Sequence, residues 1–366
     1  MKSEMTSRER VLESLRHKET DRVPFSLGFG INAPALVKLQ EYWGLKSPGD
    51  AYERMLGRSD LRGARPVYAG PKDRKLTLSD GSTVDLWGVK RKPVCYGDGC
   101  YDEICGYPLA EINDISGLNE FTWPTPDWWD VSGLKEMTER EGRSGEYAVM
   151  IGNGNIFESS WYMRGLERMF TDLIEAPELA WEIMRRVTDY FVGFFEKVLR
   201  AAEGMIDIVF TADDIGQQQG LLLSLDMWEK MIKPHHARLN KVLHNYGVKV
   251  MYHTDGSVME AIPGLIGMEI DILDPLQFDA KGMDPARLKS DFGERLCFHG
   301  GVSVQKTLPF GTADDVRKEV ADRIRVLGKN GGYILAPSHA IQAGTPPENI
   351  AAMLEAIGRE KWGERQ

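Results

Sequence analysis

From Tyr147 onward, apolar residues fall in short runs separated by helix-length amphipathic segments. The runs occupy 147–151, 206–210, 248–252, 271–273, 296–298 and 333–335. Helical periodicity fills the intervals at 159–173, 178–203, 227–244, 258–266, 285–289 and 313–327, and 346–357 closes the pattern. Strand–helix alternation of this kind predicts a parallel sheet. Earlier in the chain, Thr6 or Ser7 can cap a helix whose Val11, Leu12 and Leu15 share one face. Asp21-Arg22-Val23-Pro24 ends that helix and leads into an extended run at 25–29. A second helix is predicted over 34–42, with Pro34 suited to its first turn. With 25–29 included, seven or eight strand–helix units predict a distorted (β/α)8 TIM barrel rather than a doubly wound sheet. Gly28-x-Gly30 lacks the later glycine of a dinucleotide fingerprint.

Residues 60–145 break this pattern with Gly, Pro, Asp and aromatic residues around short alternating runs. Asp80-Gly81 between two such runs signals a hairpin. The segment is predicted to be a β-rich insertion over the mouth of a single domain spanning 1–366. A length of 366 residues suits this, since a plain barrel takes about 250.

Composition narrows the function. Hydrophobic residues make up 42% and charged residues 27%, which excludes a disordered chain. A net charge of -10 with no basic run argues against nucleic-acid binding. No apolar stretch reaches the roughly 18 residues of a membrane span, and the first helix is too charged for a secretion signal. The expected location is therefore the cytoplasm, with a small molecule as substrate; a homo-oligomer is compatible with this reading. Cys95, Cys100 and Cys105 do not have zinc-ribbon spacing and are expected to be free thiols, and Cys297 is expected in the core.

In a barrel of this type the chemistry sits just after the strands. Asn153 and Glu158 follow the run at 147–151, and Asp213, Asp214 and Gln219 follow 206–210. His253 and Asp255 follow 248–252, Asp274 and Gln277 follow 271–273, His299 follows 296–298, and His339 follows 333–335. Five of these seven strand ends, counting 25–29, carry an acidic or histidine side chain within four positions, so a pocket is predicted where they converge. His253 and Asp255, two apart in extended chain, project to one side and can share one metal or one substrate, or simply pair with each other. His339 would complete a His/Asp/His set suited to zinc or a similar divalent ion. Adjacent carboxylates on a strand point opposite ways, so at most one of Asp213 and Asp214 faces the pocket as a general acid or base. Asn153, Glu158, Gln219 and Gln277 are the candidate substrate-binding residues.

The segments FTADDIGQQQGLLLS, HTDG, DILDPLQ, FHGGVS and APSHAIQAGTPPENI, with the opening SRERVLESLRHKETDRVPF, resemble the uroporphyrinogen decarboxylase superfamily. That resemblance implies a distorted (β/α)8 barrel and two chemistries. The decarboxylases carry R-Q-A-G-R-Y near the N-terminus, with arginines for substrate carboxylates. Here the matching place reads Ser26-Leu27-Gly28-Phe29-Gly30, although His339 matches a pocket histidine of the decarboxylases. The corrinoid-dependent methyltransferases bind zinc through H-x-C-G and a later cysteine in A-P-G-C-G. His253 is kept here, and Asp255 and His339 stand where the cysteines would be. A harder donor set of this kind suits an oxygen substrate better than a thiol. The resemblance therefore implies a metal-dependent methyltransferase that demethylates a small methoxylated or methylated compound. The chain lacks a D-x-H-x-x-G corrinoid signature, so the corrinoid would come on a separate partner protein. A cofactor-free decarboxylase or lyase acting on a small acidic substrate, or a non-catalytic ligand-binding barrel, are the alternatives.

Overall fold

In a computed structural model, which describes residues 5–96 and 99–357, seven parallel strands form one sheet. In chain and spatial order they are β1 (Leu61–Gly63), β2 (Ala148–Asn155), β3 (Ile208–Ala212), β4 (Lys249–His253), β5 (Ile272–Leu276), β6 (Cys297–Val302) and β7 (Tyr333–Pro337). The extended segment at Phe25 closes the ring. Phe25 bridges Leu335 in parallel, Ser26 N–H donates to the Leu335 carbonyl at 2.9 Å, and Asp60 N–H donates to the Phe25 carbonyl at 2.8 Å. The result is an eight-stave barrel, distorted because the Phe25 and β1 staves are so short.

Helix α1 (Ser7–Ser14) plugs the lower end of this barrel. Thr6 and Glu9 start it with a reciprocal capping box. Val11 and Leu15 then join Leu61, Ala148, Ile208, Met251, Ile272, Cys297 and Ile334 in the apolar filling of the bore. Asp60, fully buried, receives Ser7 Oγ, Arg10, Arg22 and the Phe25 amide, tying α1 to both short staves. Outside the sheet, α2 (Ile156–Arg164) and the long α3 (Pro177–Ala201) pack together. On α3, Leu179, Ala180, Ile183, Met184 and Val187 recur at helical spacing and are buried.

Several expectations need correction. The helix expected over 159–173 is two helices, because Gly165 at φ 93° takes a backbone conformation that other residues rarely adopt. The one expected over 227–244 is also two, Leu225–Met231 and then α4 (Lys233–His244), which has Pro234 in its first turn. The region 60–145 opens with a barrel stave, since β1 pairs in parallel with β2. Beyond it, strands Leu76–Thr77, Thr83–Val84, Lys90–Tyr96 and Gly99–Gly106 form an antiparallel sheet, with Asp80-Gly81 at its first turn. Trp87, Val89, Leu109 and Leu118 from this region join the same buried cluster as the barrel helices. Cys95 and Cys100, expected as free thiols, stand opposite each other on the hairpin and form a disulfide. Opposition across a tight hairpin brings side chains together in a way that sequence spacing alone does not reveal. Cys105 is free and exposed, and Cys297 is buried.

Candidate active site

β4 ends at His253, and the chain turns sharply through Thr254-Asp255-Gly256. Gly256 sits at φ 90°, and a Cβ there would lie 2.6 Å from the Gln217 backbone nitrogen, so the turn requires glycine. The alternation expected of this segment holds. Thr254 turns outward, its Oγ1 accepting from Ile215 N–H at 3.0 Å, whereas His253 and Asp255 face inward. His339, two residues beyond β7, meets them from across the bore. One ligating atom from each of His253, Asp255 and His339 lies within 4.8 Å of the other two. Ligands on one tetrahedral zinc stand about 3.4 Å apart, so small side-chain rotations would suffice. Asp255 Oδ1 is buried without a hydrogen-bond partner among the described residues, at 3.9 Å from His253 Nε2. Two imidazoles and an orphaned carboxylate oxygen fit a divalent cation.

Beneath this cluster lies a residue not chosen from the sequence. Asp274, on β5 beside His253, accepts from His253 Nδ1 at 2.7 Å and, through its other oxygen, from His299 Nδ1. Burial favours its neutral form, but the two imidazoles and their hydrogen bonds hold it well below the usual carboxylate range. Binding at Nδ1 fixes the ring and leaves His253 Nε2 facing Asp255 and His339. Burial opposes the charge on His253, but Asp274, Asp255 and Asp214 together raise its pKa to about 9. Asp255 is pushed up to about 6, chiefly by burial, with Asp214 and Asp274 adding to the rise and His253 opposing it. His339 is lowered by burial and by His253.

Asp214 belongs to the site. Its Oδ1 accepts from Asp255 N–H at 2.8 Å and lies 3.7 Å from His253 Nε2. Asp213, the other catalytic candidate of this pair, does not, in keeping with the expectation that at most one of the two faces the pocket. It is fully buried and points the other way, accepting from Phe157 N–H and Glu158 N–H at 2.7 Å each and from His236 Nε2. Its charge is spent on the first turn of α2. Glu158 on that turn is buried and bonded to Asn155 and Tyr162. Burial, then the charges of Asp213 and Asp214, raise its pKa to about 7. Gln277 is buried and uses its carbonyl oxygen to hold the Gly256 amide at 2.7 Å, so it shapes the His253–Gly256 turn. Asn153 is exposed and lines a groove between barrel and insertion. Gln219 is exposed in a small hairpin, and its side chain makes no hydrogen bond among the described residues. Neither joins the metal-type cluster.

Phe29, in the glycine-flanked loop after the Phe25 stave, was also not anticipated. Its ring stacks on His339 at 4.7 Å and 13°, meets His253 edge-on at 4.7 Å, and contacts Phe210 at 5.6 Å. The substitution of this apolar loop for an arginine-bearing one was the available signal. For Asp274 and His299 the signal was their position at the ends of consecutive staves next to His253.

A closed eight-stave barrel with a polar cluster at the C-terminal strand ends defines an enzyme-type (β/α)8 architecture. Residues 138–359 match the uroporphyrinogen decarboxylase (URO-D) family, and the chain belongs to that family of enzymes. It is 21% identical to a uroporphyrinogen decarboxylase of Alkalilimnicola ehrlichii over 95% of this chain and 93% of that one. A chloroplastic uroporphyrinogen decarboxylase 2 of Oryza sativa subsp. japonica is 27% identical, over 68% of this chain and 61% of its own. Among solved structures, a methyltransferase from Methanosarcina mazei superposes with a TM-score of 0.67 at 17% identity, covering 97% of this chain and 98% of that one, which shows a shared fold. Among the described residues no helix is long and apolar enough to cross a membrane.

Proposed function

We propose that the protein is a divalent-metal-dependent methyltransferase that takes a methyl group from a small oxygen-linked donor and passes it to a corrinoid on a separate protein. The observation carrying this reading is the convergence of His253, Asp255 and His339 within 4.8 Å, backed by the Asp274 hydrogen bond to His253. His253 Nε2, a His339 ring nitrogen and an Asp255 oxygen would hold the ion. When bound, zinc or a similar ion supplies Lewis-acid polarisation of the donor oxygen. Asp274 keeps His253 in the ligating tautomer. Phe29, stacked on His339 and edge-on to His253, supplies an apolar wall beside the cluster. Glu158 keeps its proton to about pH 7 and is the group we assign to protonate the oxygen left when the methyl departs.

The test is metal analysis of the purified protein, followed by reaction with a reduced corrinoid protein and a panel of methoxylated donors. Stoichiometric metal and growth of the methyl-corrinoid absorbance are expected. Protein that takes up no divalent ion on reconstitution would overturn the reading.

Decarboxylation is the second reading, favoured by the relatives' activity and by Glu158 as a buried acid. Against it stands the arginine-free first loop. Arg62, which could have compensated, is buried, donates to the Ser59 and Leu61 carbonyls, and lies over the Tyr147 ring. Arg65 is exposed at the insertion groove.

A further inference from the structure

Next to the cluster, the bore holds a cavity of about 160 Å³, walled by Phe29, Phe210, Met150 and Met251, with Gly28, Gly152, Asp274 and His299 completing its lining. Of the two polar side chains in this lining, Asp274 has both oxygens bonded to imidazoles, whereas the bonding of His299 is incomplete. His299 is 3% exposed, and its Nδ1 is bonded to Asp274. A carboxylate accepts, so Nδ1 donates to Asp274 and Nε2 is the ring atom left to meet a ligand. His299 Nε2 is buried and has no hydrogen-bond partner among the described residues. A ring nitrogen left unpaired in such a cavity is unfavourable until a hydrogen-bonding partner arrives. Gly28, beside His299, sits at φ 55°, a backbone conformation that residues with a side chain rarely adopt.

The size of the space defines the ligand. An apolar cavity of about 150 Å³ accepts one benzene ring. Methionine sulfur and aromatic edges are favourable partners for such a ring. We propose that this cavity is the subsite for a single hydroxyl-bearing aromatic ring, whose hydroxyl hydrogen-bonds to His299 Nε2 while the ring packs among Phe29, Phe210, Met150 and Met251. The walls Phe29 and Phe210 also touch the His253 ring, at 4.7 and 5.7 Å between centroids, so a substituent on the bound ring would face the cluster. The proposal rests on the reading of that cluster as the reacting centre, and it narrows the donor to phenolic methyl ethers.

The experiment is calorimetric titration of the metal-free protein with phenol and with toluene, which matches it in size but donates no hydrogen bond. Phenol is expected to bind at least about 10-fold tighter than toluene. In His299→Leu this preference should vanish through loss of phenol affinity, with toluene retained. Met251→Phe, which narrows the cavity and leaves His299 in place, should weaken both probes. If His299→Leu fails to fold, the wild-type ratio and Met251→Phe still decide. Equal binding of phenol and toluene by the wild type, or no phenol binding, would overturn the subsite. Binding needs neither metal nor turnover. Phenol-selective binding without methyl transfer would therefore sink the proposed function alone, and methyl transfer without phenol binding would sink this subsite alone.

Discussion

Asp274 serves two imidazoles with one carboxylate, and this sets the behaviour of both. Asp274→Asn keeps the shape but cannot accept from both rings with equal strength. It should lower divalent-metal affinity about 10- to 100-fold, read by competition with a metal-binding dye. An unchanged affinity would show that His253 needs no such support. Glu158 makes a separate prediction from its displaced titration. The folded chain holds this proton to about pH 7, whereas the unfolded chain releases it near the usual 4.5. The group's contribution is thus full below pH 4.5, and stability falls as pH rises to 7, by about 3 kcal/mol in all. Glu158→Gln removes the titration, so its stability relative to wild type should climb by that amount between pH 4.5 and 8. Urea midpoints across this range check it, and a constant difference would mean Glu158 is ionised throughout.

At the scale of elements, Asp60 makes the barrel close. Its buried carboxylate joins α1, the Phe25 stave and β1 through two arginines, a serine and a backbone amide. Asp60→Ala would leave Arg10 buried and short of a partner, and should cost about 3–5 kcal/mol of folding stability by chemical denaturation. A cost under 1 kcal/mol would show that the apolar plug of α1 suffices. Elements also show where pattern reading reaches its limit. Apolar periodicity ran through Gly165 and Pro234 because both neighbouring helices bury a face against the same core, so the breaks left the hydrophobic pattern intact. The β1 stave escaped notice for the opposite reason. Its three residues are too few to show a period, and pairing with β2 alone makes them a strand.

For the whole molecule, the arrangement predicts dependence on a cation and indifference to polycarboxylates. Chelation followed by gel filtration should abolish methyl transfer, and one divalent ion per chain should restore it, measured by the corrinoid spectrum. Activity surviving full metal removal would contradict the assignment of His253, Asp255 and His339. Uroporphyrinogen should not be converted to coproporphyrinogen at ordinary enzyme rates of about 1 per second. Each carboxylate brought into the bore would need a cation, and the loop at Phe29 supplies an aromatic ring instead. Chromatographic analysis of the porphyrins checks this directly.

The barrel and the His253, Asp255, His339 set were legible in the sequence because both rest on local regularities. Alternation of runs and helices encodes the parallel sheet, and residues two apart on a strand share a side. The identities of the remaining groups depended on what each side chain meets. Asp213 and Asp214 are chemically alike, yet one faces a helix start and the other the mouth, because strand parity gives opposite directions without saying which is inward. Cys95 and Cys100 became partners only once the hairpin register set them opposite each other. Asp274 and His299 acquired their roles from neighbouring staves, 21 and 25 residues distant along the chain for the two hydrogen bonds of Asp274. Side-chain direction and parity are carried by the local chain, but contact across staves is fixed by register and by closure of the ring, which only the tertiary structure supplies.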